Sequence, residues 1–276
     1  DSETTINLSL ITSYQYLIVF VLVVAAASAF RLEENRPADG GRIANGKDAA
    51  HGQFPYQVGL QVRRGLLSTS WCGASLISNN WVLTAAHCVN KVRSVTVYLG
   101  STVRTVSELK FTVKKDDIIV HEGYDDKKIS DDIALIKIPS VVYTKNIQPV
   151  QLPKKSSSYS TYTGETAIVS GWGLMGDSAA GVADDLQWAR LTVVPNRVCQ
   201  RTYKTYNVDN VCLKTPDFVS TCQGDSGGPL VLESTDVQIG LTSFGANAGC
   251  EKGYPVAFTR VTNYLDWIES RTGLSF

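Results

Sequence analysis

From residue 43 onward the chain alternates short apolar runs with polar turns. Val95, Val97 and Leu99 alternate with Thr96 and Tyr98, the period of two expected of a strand with one buried face. Further strand candidates fall at 58–62, 118–120, 133–138, 167–170, 230–232 and 239–244, parted by Gly, Pro, Asn and Asp. No strand–helix–strand alternation is visible, so the pattern predicts an all-β sandwich or barrel. Residues 195–203 read as a short helix. Val261, Tyr264, Leu265 and Ile268 fall at i, i+3, i+4 and i+7, which predicts a C-terminal packing helix with Thr262 as its N-cap.

The pattern before residue 43 is different. Residues 17–29 are apolar and end Ala27-Ser28-Ala29, a small-residue cleavage pattern, so residues 1–29 read as a secretion-signal-like leader. No methionine opens the chain and no Lys or Arg precedes Arg31, so the leader is expected to be incomplete or altered. Residues 4–30 carry no charge, which also admits a membrane anchor. The acidic residues before it and Arg31 after it would then hold the remainder in the cytosol. Residues 30–42 are polar, contain Pro37 and Gly40-Gly41, and show neither period. The expected division is therefore leader 1–29, connecting peptide 30–42 and folded body 43–276.

Composition narrows the class. The 276 residues hold 26 basic and 26 acidic side chains, a net charge of zero that argues against nucleic acid as a partner. The length supports one large domain or two small halves with ample core. All six cysteines follow Arg42, and beside a signal-like leader an even number reads as disulfides in an oxidising compartment, which speaks against the anchored, cytosolic alternative. Sequence alone leaves their pairing open. A zinc site is disfavoured, because no C-x-x-C pair occurs and the three histidines do not cluster with cysteines.

Chemistry concentrates at Gly224-Asp225-Ser226-Gly227-Gly228-Pro229. Glycines around one hydroxyl let a carbonyl approach it and let backbone N–H groups face developing negative charge. A partner base is sought among only three histidines. His51 and His121 sit in turn-like surroundings and read as surface or packing residues. His87, in Thr84-Ala85-Ala86-His87-Cys88, has small neighbours and a cysteine that could pin it. Asp132 opens the apolar run 133–136 and is the candidate buried acid; Asp131 reads as its solvated neighbour.

These stretches resemble the chymotrypsin-like serine endopeptidases. The resemblance rests on Ile43-Ala44-Asn45-Gly46, Thr84–Cys88, 132–135, Gly171-Trp172-Gly173 and Gly224–Pro229, in the order His, Asp, Ser, and spans 43–276. It is similar above all to arthropod chymotrypsin- and elastase-like digestive enzymes of the brachyurin type. The family fold it implies is two six-stranded antiparallel β-barrels with the active site between them and a C-terminal helix. The implied roles are His87, Asp132 and Ser226 as the catalytic triad and the N–H groups of Gly224 and Ser226 as the oxyanion hole. The implied disulfides are Cys72–Cys88, Cys199–Cys212 and Cys222–Cys250. The resemblance makes 30–42 an activation peptide: cleavage after Arg42 by a trypsin-like enzyme would free the amino group of Ile43 to pair with Asp225.

The resemblance also places a substrate pocket. Its base is Ser220, neutral, so a basic side chain would be buried there without a partner. Its walls are Ser243, Phe244, Gly245 and Val256. Phe244 stands where relatives carry tryptophan, and Val256 where many carry glycine, so a shallower pocket for medium-sized apolar residues is expected. Protein or peptide substrates, an activating protease and protein inhibitors are the expected partners of a secreted, monomeric enzyme, with the gut lumen among the extracellular settings the resemblance implies. No cofactor or metal is expected; residues 101–115 hold one acid, Glu108. The alternative is a catalytically inactive, protease-like binding protein, against which the intact Ser, His and Asp argue.

Overall fold

The computed structural model describes residues 43–65 and 68–276. The leader, the connecting peptide and Arg42 lie outside the described residues. Fourteen strands and three α-helices are described, and the strands form two curled antiparallel sheets.

The first sheet holds β2 (Gln57–Arg63), β3 (Thr69–Ser78), β4 (Trp81–Thr84), β5 (Ser94–Leu99), β6 (Leu109–Lys114), β7 (Ile118–Val120) and β8 (Ala134–Lys137). Their order is β6-β5-β2-β3-β4-β8-β7. The two end strands, β6 and β7, are consecutive in the chain and joined by a 3-10 turn at Lys115–Asp117. The sheet therefore returns on itself at a bend in one strand rather than along a ladder. Counting β6 and β7 as that single bent strand gives the expected six. The alternation read at 95–99 is the inner face of β5: Val95 and Val97 are buried with Val58, Leu60 and Val62 from β2.

The second sheet closes completely. β9 (Thr166–Gly171), β10 (Gln187–Val194), β11 (Asn210–Lys214), β14 (Val256–Arg260), β13 (Gln238–Phe244) and β12 (Pro229–Leu232) pair in that order, and β12 pairs back to β9. The short β1 (Lys47–Asp48) adds to β10 outside the ring. Closure removes exposed edges and points alternate side chains inward. Val169, Leu191, Leu213, Leu230, Ile239 and Phe258 fill this barrel.

Between the barrels a third apolar cluster joins Leu83, Ile133 and Leu135 of the first half to Val231 and Leu241 of the second. The helix α3 (Leu265–Thr272) seals it with Leu265 and Ile268, the face read from the sequence. Its start differs from expectation. A 3-10 turn at Val261–Tyr264 precedes α3, and the Thr262 hydroxyl is buried without a partner instead of capping. Burial of Val261 and Tyr264 in the cluster fixes that turn, and packing overrides the local capping preference. The predicted 195–203 helix is α2 (Arg197–Thr202). Among the described residues no helix is long and apolar enough to cross a membrane.

Candidate active site

His87 lies on a one-turn helix, α1 (Ala86–Val89), that follows β4 directly. The turn is short, but it is fastened at several points. Cys88 is bonded to Cys72 on β3. The guanidinium of Arg64 donates to the carbonyls of His87 at 2.9 Å and Cys88 at 3.0 Å. The backbone N–H of His87 donates to Asp132 Oδ1 at 2.9 Å. Sequence reading missed Arg64. The two carbonyls it holds are more than twenty residues away, and nothing near it in the chain signals them.

Asp132 is 1 % exposed. Its Oδ2 lies 2.8 Å from His87 Nδ1 and accepts the Ser243 hydroxyl at 2.6 Å. Burial alone would push this carboxyl up. The His87 charge and the hydrogen bonds from His87 and Ser243 outweigh it and hold the group below the ordinary range. An ionised carboxylate facing Nδ1 holds a proton there, so whenever the ring is neutral Nε2 is its free base. Ser243 thus serves the carboxylate as well as the pocket wall to which the sequence assigned it.

Asp131 departs from expectation. It is half-buried rather than solvated, and its carboxylate accepts the Tyr264 hydroxyl at 3.1 Å. His121 packs between Tyr264 and Trp267, at 5.2 and 5.0 Å between ring centroids. The loop carrying Asp132 is therefore anchored to the C-terminal segment. His51 is exposed, as expected of a surface residue.

Ser226 sits in a tight loop pressed on the first barrel. Gly73 on β3 donates its N–H to the Ser226 carbonyl at 2.8 Å, and a Cβ at residue 73 would come 2.8 Å from Gly228 Cα. Only glycine allows that approach. Within the loop the N–H groups of Asp225, Gly227 and Gly228 are bonded to Cys222, Thr242 and Asp225 carbonyls. Those of Gly224, at φ +99°, and Ser226 have no protein acceptor among the described residues. Two free donors two residues apart, one of them on the serine itself, suit a developing oxyanion. No hydrogen bond joins Ser226 to His87, but one disulfide sulfur touches both. Cys88 Sγ lies 3.8 Å from His87 Nε2 and 3.4 Å from the Ser226 carbonyl. Such bonds are often long in a free enzyme and tighten when substrate binds.

A cavity of about 360 Å³ opens beside Ser226. Ser220, Ser243, Phe244, Gly245 and Val256 all line it. Ser220 is 1 % exposed and spends its hydroxyl on the Thr221 carbonyl at 2.9 Å, so the base is neutral. Val256 Cγ1 would lie 3.5 Å from a Cβ at residue 245, which places that methyl opposite the glycine wall. Phe244 is steadied by an edge contact with Tyr203, 5.4 Å between centroids. Leu174, Asp177 and Tyr254 also line the cavity and were missed, because they arrive on loops remote in sequence. The Cys222–Cys250 disulfide closes its rim, and Cys199–Cys212 ties α2 to β11.

Below the serine loop Asp225 is fully enclosed. Its oxygens accept only the N–H groups of Gly173 and Cys222, at 2.8 and 2.9 Å, and no cation lies within ion-pair distance among the described residues. Burial raises its carboxyl to about 7, with the two backbone bonds opposing. Ile43 is also buried, in the core of the second barrel, and the neighbouring Ala44 carbonyl accepts the Ser220 N–H at 3.1 Å.

Comparison with known proteins agrees with this geometry. The trypsin family model matches residues 43–268. The chain is 42 % identical over 269 residues to collagenase of Hypoderma lineatum, covering 95 % of this chain and 100 % of that protein. It is 40 % identical to brachyurin of Leptuca pugilator, over 84 % of this chain and all of that one. To chymotrypsin of Phaedon cochleariae it is 38 % identical, over 83 % and 82 %. The solved structure of HL collagenase superposes with a TM-score of 0.78 at 43 % identity, covering 84 % of this chain and 99 % of that one. Two barrels, a histidine paired with a buried aspartate and a serine loop with free N–H groups come together with these likenesses: the chain belongs to the trypsin family and is a chymotrypsin-like serine endopeptidase.

Proposed function

We propose that residues 43–276 are the mature form of a secreted endopeptidase that cleaves after medium-sized to large apolar residues, and that cleavage after Arg42 switches it on. The observation that carries the catalytic part is the pairing of partly exposed His87 with buried Asp132 beside a neutral-based cavity bearing Ser226. Ser226 Oγ attacks the substrate carbonyl while His87 Nε2 takes its proton. The C–N bond breaks as His87 returns that proton to the departing amine. Water then repeats the sequence on the acyl-enzyme, regenerating Ser226. Asp132 keeps the imidazole in the required tautomer and stabilises its charged form. The Gly224 and Ser226 N–H groups hold the oxyanion; one such donor is worth roughly 3–4 kcal/mol in the transition state. The chemistry calls on no cofactor.

Activation is supported by the buried carboxylate of Asp225, which meets no cation among the described residues. A cation delivered to it would compensate the burial cost, and a new amino group on Ile43 is the cation that cleavage would create. Secretion is supported by the signal-like leader and by three disulfides. The relatives named collagenase and chymotrypsin are in keeping with a protein substrate.

The test has two arms. Purified precursor should be nearly inactive, and limited trypsin treatment should yield an Ile43 N-terminus together with amidase activity. A phosphonate should then label Ser226 alone, and Ser226→Ala should lose several orders of magnitude in amide hydrolysis while folding normally. A precursor as active as the trypsin-treated form would refute the switch, and near-full activity of Ser226→Ala would refute the mechanism.

A further inference from the structure

A second cavity, of about 380 Å³, lies on the other side of the serine loop. Gln61, Trp71, Arg104, Val182, Gln223 and Gly224 line it. It shares Gln223 and Leu174 with the cavity beside Ser226, so the two flank the free Gly224 N–H. A peptide whose residue before the scissile bond fills the first cavity, with its carbonyl at the Gly224 N–H, can lead its departing half toward the second. Side chains of an extended chain alternate in direction. The second residue after the bond therefore points back to the protein surface, as the residue before the bond does.

Among the described residues that line this cavity Arg104 carries a positive charge, and the Arg64 guanidinium donates to the lining Ser70 hydroxyl at 2.8 Å. The guanidinium carbon of Arg104 stands 5.4 Å from the Trp71 ring centroid. Its Nε donates to the Ala183 carbonyl and its Nη2 to Asp184 Oδ1, both at 3.0 Å. These bonds orient the planar fork, and its other N–H groups have no protein acceptor among the described residues. The Asp184 side chain is 83 % exposed, so its pairing with Arg104 is weak and well solvated. An arginine stacked on an indole, oriented and only partly satisfied, is suited to a second carboxylate.

We propose that Arg104 is a specificity-determining residue, and that it selects an acidic side chain at the second position after the scissile bond. This rests on the endopeptidase reading above and deepens it. The preference is set by charge at the cavity, so it adds to the apolar preference before the bond.

The test uses trypsin-activated enzyme, freed of trypsin, and internally quenched peptides identical except at that second position, which holds Glu, Ala or Lys. Wild type should cleave the Glu peptide about two- to fivefold faster in kcat/KM than the Ala peptide, and Lys more slowly than Ala. The Glu:Ala ratio should fall to about one in Arg104→Gln; a ratio taken within each variant cancels any general loss of activity. Arg104→Glu should invert the order to favour Lys, a gain that misfolding cannot produce. Asp184→Asn should raise the Glu preference, and about 0.5 M NaCl should reduce it in wild type. An equal rate on all three peptides, or a Glu preference retained by Arg104→Gln and Arg104→Glu, would overturn the proposal while leaving the endopeptidase reading intact. Failure of wild type to cleave any peptide would instead overturn the reading beneath it.

Discussion

Val256 offers the sharpest quantitative test of how the pocket is shaped. It sits on β14 opposite Leu213 and is 4 % exposed. It faces two ways, toward the core of the second barrel and into the cavity beside Ser226. Its Cγ1 is the methyl that looks across at Gly245. Val256→Gly removes three carbons, of which Cγ1 narrows the cavity most directly. One methylene in an apolar pocket changes discrimination by roughly 1–3 kcal/mol, about 10–200-fold. The kcat/KM ratio for Phe or Tyr over Leu before the scissile bond should therefore rise at least about tenfold. The substitution also empties core space and loosens a strand, at a cost of roughly 2–4 kcal/mol in stability. Val256→Ala keeps Cβ and should show a smaller shift in the same direction. The assay is kcat/KM on matched peptides differing only at that residue, run well below each variant's unfolding midpoint. If wild type already prefers Tyr over Leu strongly, and Val256→Gly leaves the ratio unchanged, Val256 does not limit the pocket.

Asp225 gives a pH prediction for the uncleaved chain. Its carboxyl is raised from 3.8 to about 7, so between those values the folded chain holds a proton that the unfolded chain has lost. Stability should fall as pH rises through that window and stay lower above it, by roughly 4 kcal/mol relative to Asp225→Asn; urea unfolding midpoints at stepped pH would check this, and an unchanged difference between the two proteins would refute it. Asp132 has the opposite sign: its carboxyl is depressed, so its contribution is present above about 4 and is lost as pH falls through the lowered value. Ser243→Ala removes one of its donors and should cost about 1–3 kcal/mol in unfolding free energy, read from denaturant titration. Arg64→Gln should lower kcat several-fold with little change in KM, because the fork holds the His87 turn rather than the substrate; steady-state kinetics would separate the two.

Much of this protein was legible in the chain itself. Strand periods and turn residues specified an all-β body, because alternation is a local consequence of one buried face per strand. The candidate nucleophile was legible because close approach to a carbonyl demands glycine neighbours, and that requirement is written in six consecutive residues, Gly224 to Pro229. With only three histidines, the base was nearly determined by count. The structure alone decided what depends on residues far apart in sequence. It bent one strand at Lys115–Asp117 to turn a seven-segment sheet back on itself. It drew Asp131 into a bond with Tyr264, more than a hundred residues on, against the local expectation of a solvated acid. It left Thr262 uncapped, because packing Val261 and Tyr264 between the barrels is worth more than one hydroxyl bond. It brought Arg64 to the carbonyls of His87 and Cys88, and Arg104 over Trp71. Local sequence encodes which chemistry a segment can offer, through φ preference, period and side-chain type. Which segments meet is set by burial summed over the whole chain, and no short stretch carries that sum.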